Sequence, residues 1–137
     1  MTATTAKRRK AAADPDPYVI VDFVFDRGLL SIAIKNIGSR PAFGVRVGFS
    51  HKLMGVAGTV EVSALPLFHE LEFLPGGKEI STILDSSASY FRSEQPVKIT
   101  TRISYRDARG VKLTSTIHHN LEIYREIGYR VLATGSH

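Results

Sequence analysis

The histidines are the first side chains whose chemistry could define a site. The chain has five histidines and no cysteine. His118 and His119 are neighbours in a predicted strand, so their side chains point to opposite faces and cannot hold one metal ion together. His69 falls at an inward position of another predicted strand, which favours a hydrogen-bonded histidine over a ligand. No H-E-x-x-H spacing occurs, and we expect neither a metal site nor a cofactor.

Carboxylates and serines give no stronger indication of catalysis. Glu70 and Glu72 have the i, i+2 spacing of one exposed strand face, with no carboxylate predicted across a cleft. Asp85 and Asp107 lie in turn-like segments, where short acidic side chains accept hydrogen bonds from nearby backbone amides. The chain has no G-x-S-x-G nucleophile elbow. We therefore predict a protein that is not an enzyme.

The segment KNIGSRPA, residues 35–42, allows two interpretations. Glycine, serine and arginine together could cradle a phosphate, but such loops usually open a helix, where several amides and the helix dipole converge. Pro41 has no amide hydrogen, and a strand pattern follows it. Asn36 and Gly38 tolerate the backbone conformations of a tight connection. The segment is therefore interpreted as a connection between two strands, with Arg40 at its tip available to a partner.

Basic residues predict a second kind of binding. The formal net charge is +5, and four of the 18 Lys and Arg residues lie in the first 17 positions. Weak, salt-sensitive binding of nucleic acid or of an anionic membrane surface is the alternative function. The simpler interpretation is solvation, because Tyr105 is in phase with the core and no exposed aromatic is expected among the basic side chains. The residues of this alternative are Lys7, Arg8, Arg9, Lys10, Lys98, Arg102 and Lys112.

Hydrophobic residues alternate with polar ones in several successive segments of the chain. Alternation on a period of two predicts strands with one buried face. Nothing between residues 18 and 124 has the periodicity of a helix, and a short edge strand is predicted near residues 59–63. The seven main predicted strands are residues 18–25, 29–36, 42–49, 67–74, 78–84, 97–105 and 111–124.

This pattern predicts an all-β fold, namely an immunoglobulin-like antiparallel β-sandwich of about seven strands. A closed barrel is the alternative. The long connections at residues 50–66 and 85–96 favour two sheets, since Greek-key crossovers need such links.

The expected organisation has three parts: a flexible basic tail over residues 1–17, the sandwich over residues 18–124, and a C-terminal extension over residues 125–137. No apolar run approaches the roughly 20 residues of a membrane span. The stretch after the basic cluster also lacks the apolar core of a secretory signal. We expect no transmembrane segment, and the compartment stays open between the cytoplasm and the cell envelope.

Three segments carry turn and core signatures. They are Asn36-Ile37-Gly38 with Pro41-Ala42 and Val45-Arg46-Val47, Leu74-Pro75-Gly76-Gly77, and Ile103-Ser104-Tyr105-Arg106-Asp107-Ala108-Arg109-Gly110. These segments resemble the bacterial immunoglobulin-like domains called CARDB (cell-adhesion-related), which read N-x-G-x-x-P-A-x-x-V-x-V, then L-x-P-G, then V-x-Y-x-D-x-x-G. The resemblance covers nearly all of residues 18–124 and implies an accessory module in a surface or envelope protein.

The predicted function is therefore that of a non-catalytic module that binds another protein or a neighbouring domain. Loops at one end of the sandwich, or an edge strand that could also form a homodimer, would make the contact. Phe68 is predicted to be an exposed aromatic anchor. The predicted contact residues are Arg40, His51, Lys52, Leu53, Met54, Phe68, Arg106 and Arg109.

Overall fold

Antiparallel strands make up just over half of the residues that the structure describes. The computed structural model describes residues 16–125 and residue 127. One short α-helix, α1 (Ser87–Arg92), and two 3₁₀ turns, Val62–Ala64 and Pro66–Phe68, connect them. The strands are β1 (Val19–Asp26), β2 (Leu29–Asn36), β3 (Ala42–Phe49), β4 (Met54–Gly55), β5 (Val60–Glu61), β6 (Leu71–Leu74), β7 (Glu79–Ser86), β8 (Lys98–Arg106) and β9 (Lys112–Asn120).

The strands form two main sheets. The four-stranded sheet has the order β9-β8-β3-β6, and the three-stranded sheet has the order β1-β2-β7. The short β4–β5 hairpin forms a third, two-stranded sheet. All pairs are antiparallel, and the strands of residues 16–125 do not close into a barrel. The prediction of an antiparallel β fold is confirmed at this level.

Both main sheets contribute side chains to one hydrophobic core. Alternate residues of β1 and β2 point into it, as do those of β8, because successive side chains of a strand face opposite sides. Each fully buried aliphatic or aromatic side chain stabilises the fold by about 1.5–3 kcal/mol. The largest fully buried members are Tyr90, Phe68, Leu30, Ile32, Ile34, Leu53, Leu74, Leu84, Ile99, Ile103, Leu121 and Val19.

A β-bulge changes the phase of β3. The register with β8 shifts between Phe43 and Arg46, and Gly44 has φ +59°, in the left-handed region that glycine adopts without strain. As a result Ala42 and Val45 are both buried. Phe43, which simple alternation places in the core with Val45, instead pairs with Phe73 outside it.

The connection from β7 to β8 contains a helix that the sequence pattern does not predict. The Ser86 side chain caps α1 by accepting a hydrogen bond from the Ser89 amide at 3.1 Å. Tyr90 is fully buried, and its hydroxyl donates to the Pro96 carbonyl at 2.5 Å. Six residues are too few to show helical periodicity, so the sequence pattern gives no sign of α1.

The predicted strand over residues 67–74 is wrong in its first half. Pro66 begins a 3₁₀ turn that rotates the Phe68 side chain into the core, where its ring meets Phe49 edge-on at 5.0 Å. His69 is exposed, not inward, and its Nε2 lies 3.1 Å from the Ser63 carbonyl oxygen. Near the other end of the chain, Val111 is also exposed, contrary to the alternation pattern.

Helices in the described part of the chain are short. None of them is both long enough and apolar enough to cross a membrane.

Candidate functional site

The first candidate surface is the outer face of the four-stranded sheet, which points away from the core. In β8 the buried residues Ile99, Thr101, Ile103 and Tyr105 alternate with outward-pointing ones. The strand therefore presents basic and hydroxyl side chains on one side only. We define the outer face by the residues Lys98, Thr100, Arg102, Ser104, Arg106, Lys112, Thr114, Thr116, His118, Arg46, Gly48, Phe43 and Phe73.

The strand register arranges these residues in rows across the sheet. One row runs Lys112, Arg106, Phe43, Phe73; the next runs Thr114, Ser104, Arg46; the third runs Thr116, Arg102, Gly48. Every side chain in these rows is basic, hydroxylated or aromatic, apart from glycine. These rows therefore form a cationic surface without a carboxylate, and the nearest exposed carboxylate in the same sheet is Glu72, which precedes Phe73 in β6.

The cations of the outer face are not neutralised by ion pairs. The salt bridges among described residues involve Lys35 with Asp22 and Glu79, Arg109 with Asp107, and Arg125 with Glu122. Within residues 16–125, no carboxylate therefore pairs with a basic residue of the outer face. Arg46 instead donates a hydrogen bond to the backbone carbonyl of His69. Unpaired cations on one surface create a positive potential that attracts anions.

An aromatic pair occupies one corner of the outer face. The Phe43 and Phe73 rings lie 5.5 Å apart at 46°, and Phe73 is 51% exposed. Arg106 lies across the bulge, because a Cβ on Gly44 would be 2.9 Å from both of its terminal nitrogens. The expectation that no aromatic lies among the basic side chains is therefore wrong. Alternation alone misses the pair because the bulge turns Phe43 outward.

The second candidate surface, which we call the loop end, lies where the β2–β3 and β8–β9 connections meet. Arg40 from the first connection and Arg109 from the second line one cleft of about 220 Å³. Asp16, Pro17, Asp107 and Ala108 complete its walls. The structure thus brings together two of the predicted contact residues that are 69 positions apart in the chain.

Asp107 organises the β8–β9 side of the cleft. Its Oδ1 accepts hydrogen bonds from the amides of Arg109 and Val111, both at 2.9 Å, and its Oδ2 accepts from the Arg109 guanidinium at 3.0 Å. Desolvation opposes ionisation of the Asp107 carboxyl, but the Val111 amide and the Arg109 side chain outweigh it and lower the pKa. The interpretation of Asp107 as a turn acid is confirmed.

Asn36 holds the β2–β3 side in place. Its buried side-chain oxygen accepts from the Tyr18 amide at 3.1 Å and from the Gly38 amide at 3.0 Å. Its side-chain nitrogen donates to the carbonyls of Arg40 at 2.8 Å and Leu74 at 3.0 Å. One amide side chain therefore fixes the loop that carries Arg40, as expected for a connection and not for a phosphate cradle.

Two exposed apolar residues lie beside this loop. Tyr18 is 51% exposed and Ile37 is 57% exposed, and the Ile37 amide donates to the Tyr18 carbonyl at 2.8 Å. Neither was predicted as a contact, because Tyr18 begins a strand and Ile37 lies within a turn signature. Their proximity follows only from the pairing of β1 with β2.

The remaining predicted contact residues lie elsewhere. His51 and Lys52 are exposed in the β3–β4 connection, and Met54 is half-buried in β4. Leu53 and Phe68 are fully buried in the core, so their prediction as exposed contacts is wrong. Phe68 ends the second 3₁₀ turn, and Leu53 contacts the first one.

The predicted basic residues also separate into groups. Arg106 belongs to the outer face and not to the hairpin tip, and it joins Lys98, Arg102 and Lys112 there. The basic residues at positions 7–10 lie outside the described residues.

The four histidines among the described residues do not form a common site. His118 is exposed with its Nδ1 2.9 Å from Thr100 Oγ1, whereas His119 is half-buried with its Nε2 3.0 Å from Thr101 Oγ1. Burial lowers the pKa of the His119 imidazole, although the Asp22 carboxylate opposes this effect. Within residues 16–125, no three His, Asp or Glu side chains are close enough together to hold a metal ion.

Comparison with known proteins identifies a family. Searches of curated proteins and of solved structures give no match. Residues 1–125 match the family described as Domain of unknown function (DUF8453), a match that spans both candidate surfaces. The chain therefore belongs to the DUF8453 family.

Proposed function

We propose that the protein is a non-catalytic, immunoglobulin-like β-sandwich module that binds another protein through the loop end. The strand distribution supports the fold assignment. β1, β2 and β7 lie in one sheet, and β3, β6, β8 and β9 lie in the other, so the chain crosses between the sheets after β2, β6 and β7. Repeated crossing between two antiparallel sheets is the arrangement of Greek-key sandwiches.

Contacts between two motif segments support the resemblance to CARDB domains. The Asn36 side chain donates to the Leu74 carbonyl, and the Gly77 amide donates to the Asn36 carbonyl at 2.8 Å. A Cβ on Gly76 would lie 2.5 Å from the Ser39 carbonyl oxygen. The N-x-G and L-x-P-G signatures therefore form one structural unit, which explains why they occur together. We propose the same accessory role that this resemblance implies.

The observation that carries the binding proposal is the convergence of two connections on one cleft. Arg40 is held by the Asn36 network, and Arg109 is held by Asp107, so both guanidinium groups are presented from fixed backbone. The exposed Tyr18 and Ile37 add apolar area beside them. Apolar and arginine side chains on rigidly held loops are typical of protein-binding surfaces.

The test is affinity capture from the source organism with a loop-end variant. The double substitution Ile37→Asp and Arg40→Glu changes an exposed apolar residue and a cation without removing any side-chain hydrogen bond described here. We expect it to reduce recovery of the captured protein by about tenfold or more, as for residues at the centre of an interface.

The matched control makes the same two chemical changes elsewhere. Ile83 on the three-stranded sheet and Arg92 in α1 are also exposed, so Ile83→Asp with Arg92→Glu should leave recovery unchanged. Equal loss in both variants, or a captured set that is identical for all three proteins, contradicts the proposal. Light scattering on the same samples tests the predicted homodimer through an edge strand.

A further inference from the structure

We infer that the outer face of the four-stranded sheet binds single-stranded nucleic acid. This site is separate from the loop end and goes beyond the proposed protein-binding function. Its basis is the juxtaposition of cations without ion-pair partners, hydroxyl groups and an aromatic pair, exposed Phe73 and half-buried Phe43, on one sheet surface.

The cations lie along one strand at regular intervals. Lys98, Arg102 and Arg106 are four residues apart in β8, which corresponds to about 13 Å per interval along a strand. Arg46 and Lys112 extend the charge to the neighbouring strands. A row of this kind follows a chain of phosphates, whose contacts with Lys and Arg dominate the affinity of proteins for nucleic acids.

The aromatic pair supplies a surface on which bases can stack, which cations alone do not provide. Phe73 is half exposed beside Phe43 at the end of the row that contains Arg106. Bases stack on such side chains with little dependence on sequence, because every base has an aromatic face. Gly48 beside Arg102 leaves the middle of the surface flat. Thr100 and Ser104 place hydroxyl groups between the cations.

These features favour single-stranded nucleic acid over two other polyanions. A membrane surface would attract the cations, but Phe43 and Phe73 lie in paired strands of a sheet and not on an amphipathic helix or loop tip that inserts into lipid. An acidic protein segment would require only the charges. Single strands expose both phosphates and the faces of bases, so they use the whole surface.

The experiment measures fluorescence anisotropy of 12-nucleotide oligo(dT) and oligo(U) with the full chain over a range of salt concentrations. Binding of either oligonucleotide supports the inference, and the ratio of the two affinities shows whether DNA or RNA is preferred. We expect Phe73→Ala to weaken binding by about tenfold. Arg102→Glu should weaken it and reduce the salt slope by about one. Both side chains are exposed, so circular dichroism should show folded variants.

Control measurements make the inference falsifiable. Lys78→Glu gives the same charge change in the turn before β7, outside the outer face, and should bind like the wild type. Replacing Lys7, Arg8, Arg9 and Lys10 by alanine measures how much the N-terminal segment contributes to the affinity.

Three results would overturn the inference: no binding at low salt, an unchanged affinity in Phe73→Ala, or an affinity that falls only when residues 7–10 are replaced. Equal affinity for duplex DNA, poly-glutamate or phosphatidylserine vesicles overturns it too. None of these variants changes Ile37 or Arg40, so the two proposals fail independently.

Discussion

At the scale of single residues, the Asn36 side chain joins separate segments of the chain through four hydrogen bonds. It is 1% exposed, yet each of its hydrogen-bonding atoms has two partners. A buried amide of this kind costs little while it is satisfied, but its loss leaves several groups without partners. Position 36 therefore links the start of β1, the β2–β3 loop and the end of β6.

We predict that Asn36→Ala lowers the free energy of unfolding by about 3 kcal/mol, because two amides and two carbonyls lose their partner. Urea unfolding followed by circular dichroism measures this change, since the chain has no tryptophan. Asn120 is a matched control: it is exposed, and its side chain accepts a single hydrogen bond from the Glu122 amide. A loss of similar size in Asn120→Ala would contradict the importance assigned to the Asn36 network.

At the scale of elements, the β4–β5 hairpin packs against β7, and the two backbones are in close contact at Gly55. A Cβ on Gly55 would lie 1.8 Å from the Leu84 carbonyl oxygen. The Ala57 amide also donates to the Asp85 carboxylate at 3.1 Å. The hairpin therefore covers part of the β7 edge, which would otherwise expose unpaired backbone groups.

Gly55→Ala should accordingly displace the hairpin and lower the free energy of unfolding by about 2–4 kcal/mol, as overpacking of a buried contact does. Gly48→Ala is the matched comparison, because its nearest neighbour, the Arg102 carbonyl, would be 3.8 Å from the new methyl group. Thermal unfolding of both variants measures the difference. If the two midpoints agree, the hairpin does not depend on this close approach.

The sequence pattern predicts the long strands well and the irregular elements poorly. β2 and β3 have the predicted boundaries, since one buried face imposes alternation along the whole strand. Residues around Phe68 alternate between polar and apolar although they form no strand. Pro66 starts a 3₁₀ turn there, and an alternation pattern cannot distinguish this turn from a strand. The six residues of α1 are likewise too short for a helical period.

The candidate surfaces could be predicted only in part for the same reason. Alternation over the predicted strand 97–105 puts Lys98 and Arg102 on one face, as β8 shows. The position of Phe73 at the Arg106 end of that face depends on the sheet order, which places β6 beside β3. The convergence of Arg40 and Arg109 requires the same tertiary information.

At the scale of the whole molecule, side chains join the two main sheets along the side where β1 approaches β9. Ser115 donates to the Val19 carbonyl at 2.8 Å, and the Tyr124 hydroxyl donates to the Phe23 carbonyl at 3.0 Å. The His119 ring meets Phe23 edge-on at 4.8 Å. A titratable group therefore lies in the contact between the sheets.

We predict that His119 makes stability depend on pH near neutrality. Burial lowers the folded-state pKa below the unfolded value of about 6.5, so its contribution is complete above that pH and is lost as the pH falls through the folded-state pKa. His119→Gln should therefore remove part of the decline in the urea midpoint from pH 7 to pH 5. An unchanged decline in the variant would assign the effect to other groups.

The bulge at Gly44 has a consequence for which substitutions β3 can tolerate. The extra residue changes which residues of β3 face the core. Ala42 and Val45 are both buried, while Phe43 between them is half-buried on the outer side of the sheet. Mutation can then alter the aromatic corner without repacking the interior. One glycine thus allows a substitution at position 43 to change the outer face while the packing of Ala42 and Val45 is kept.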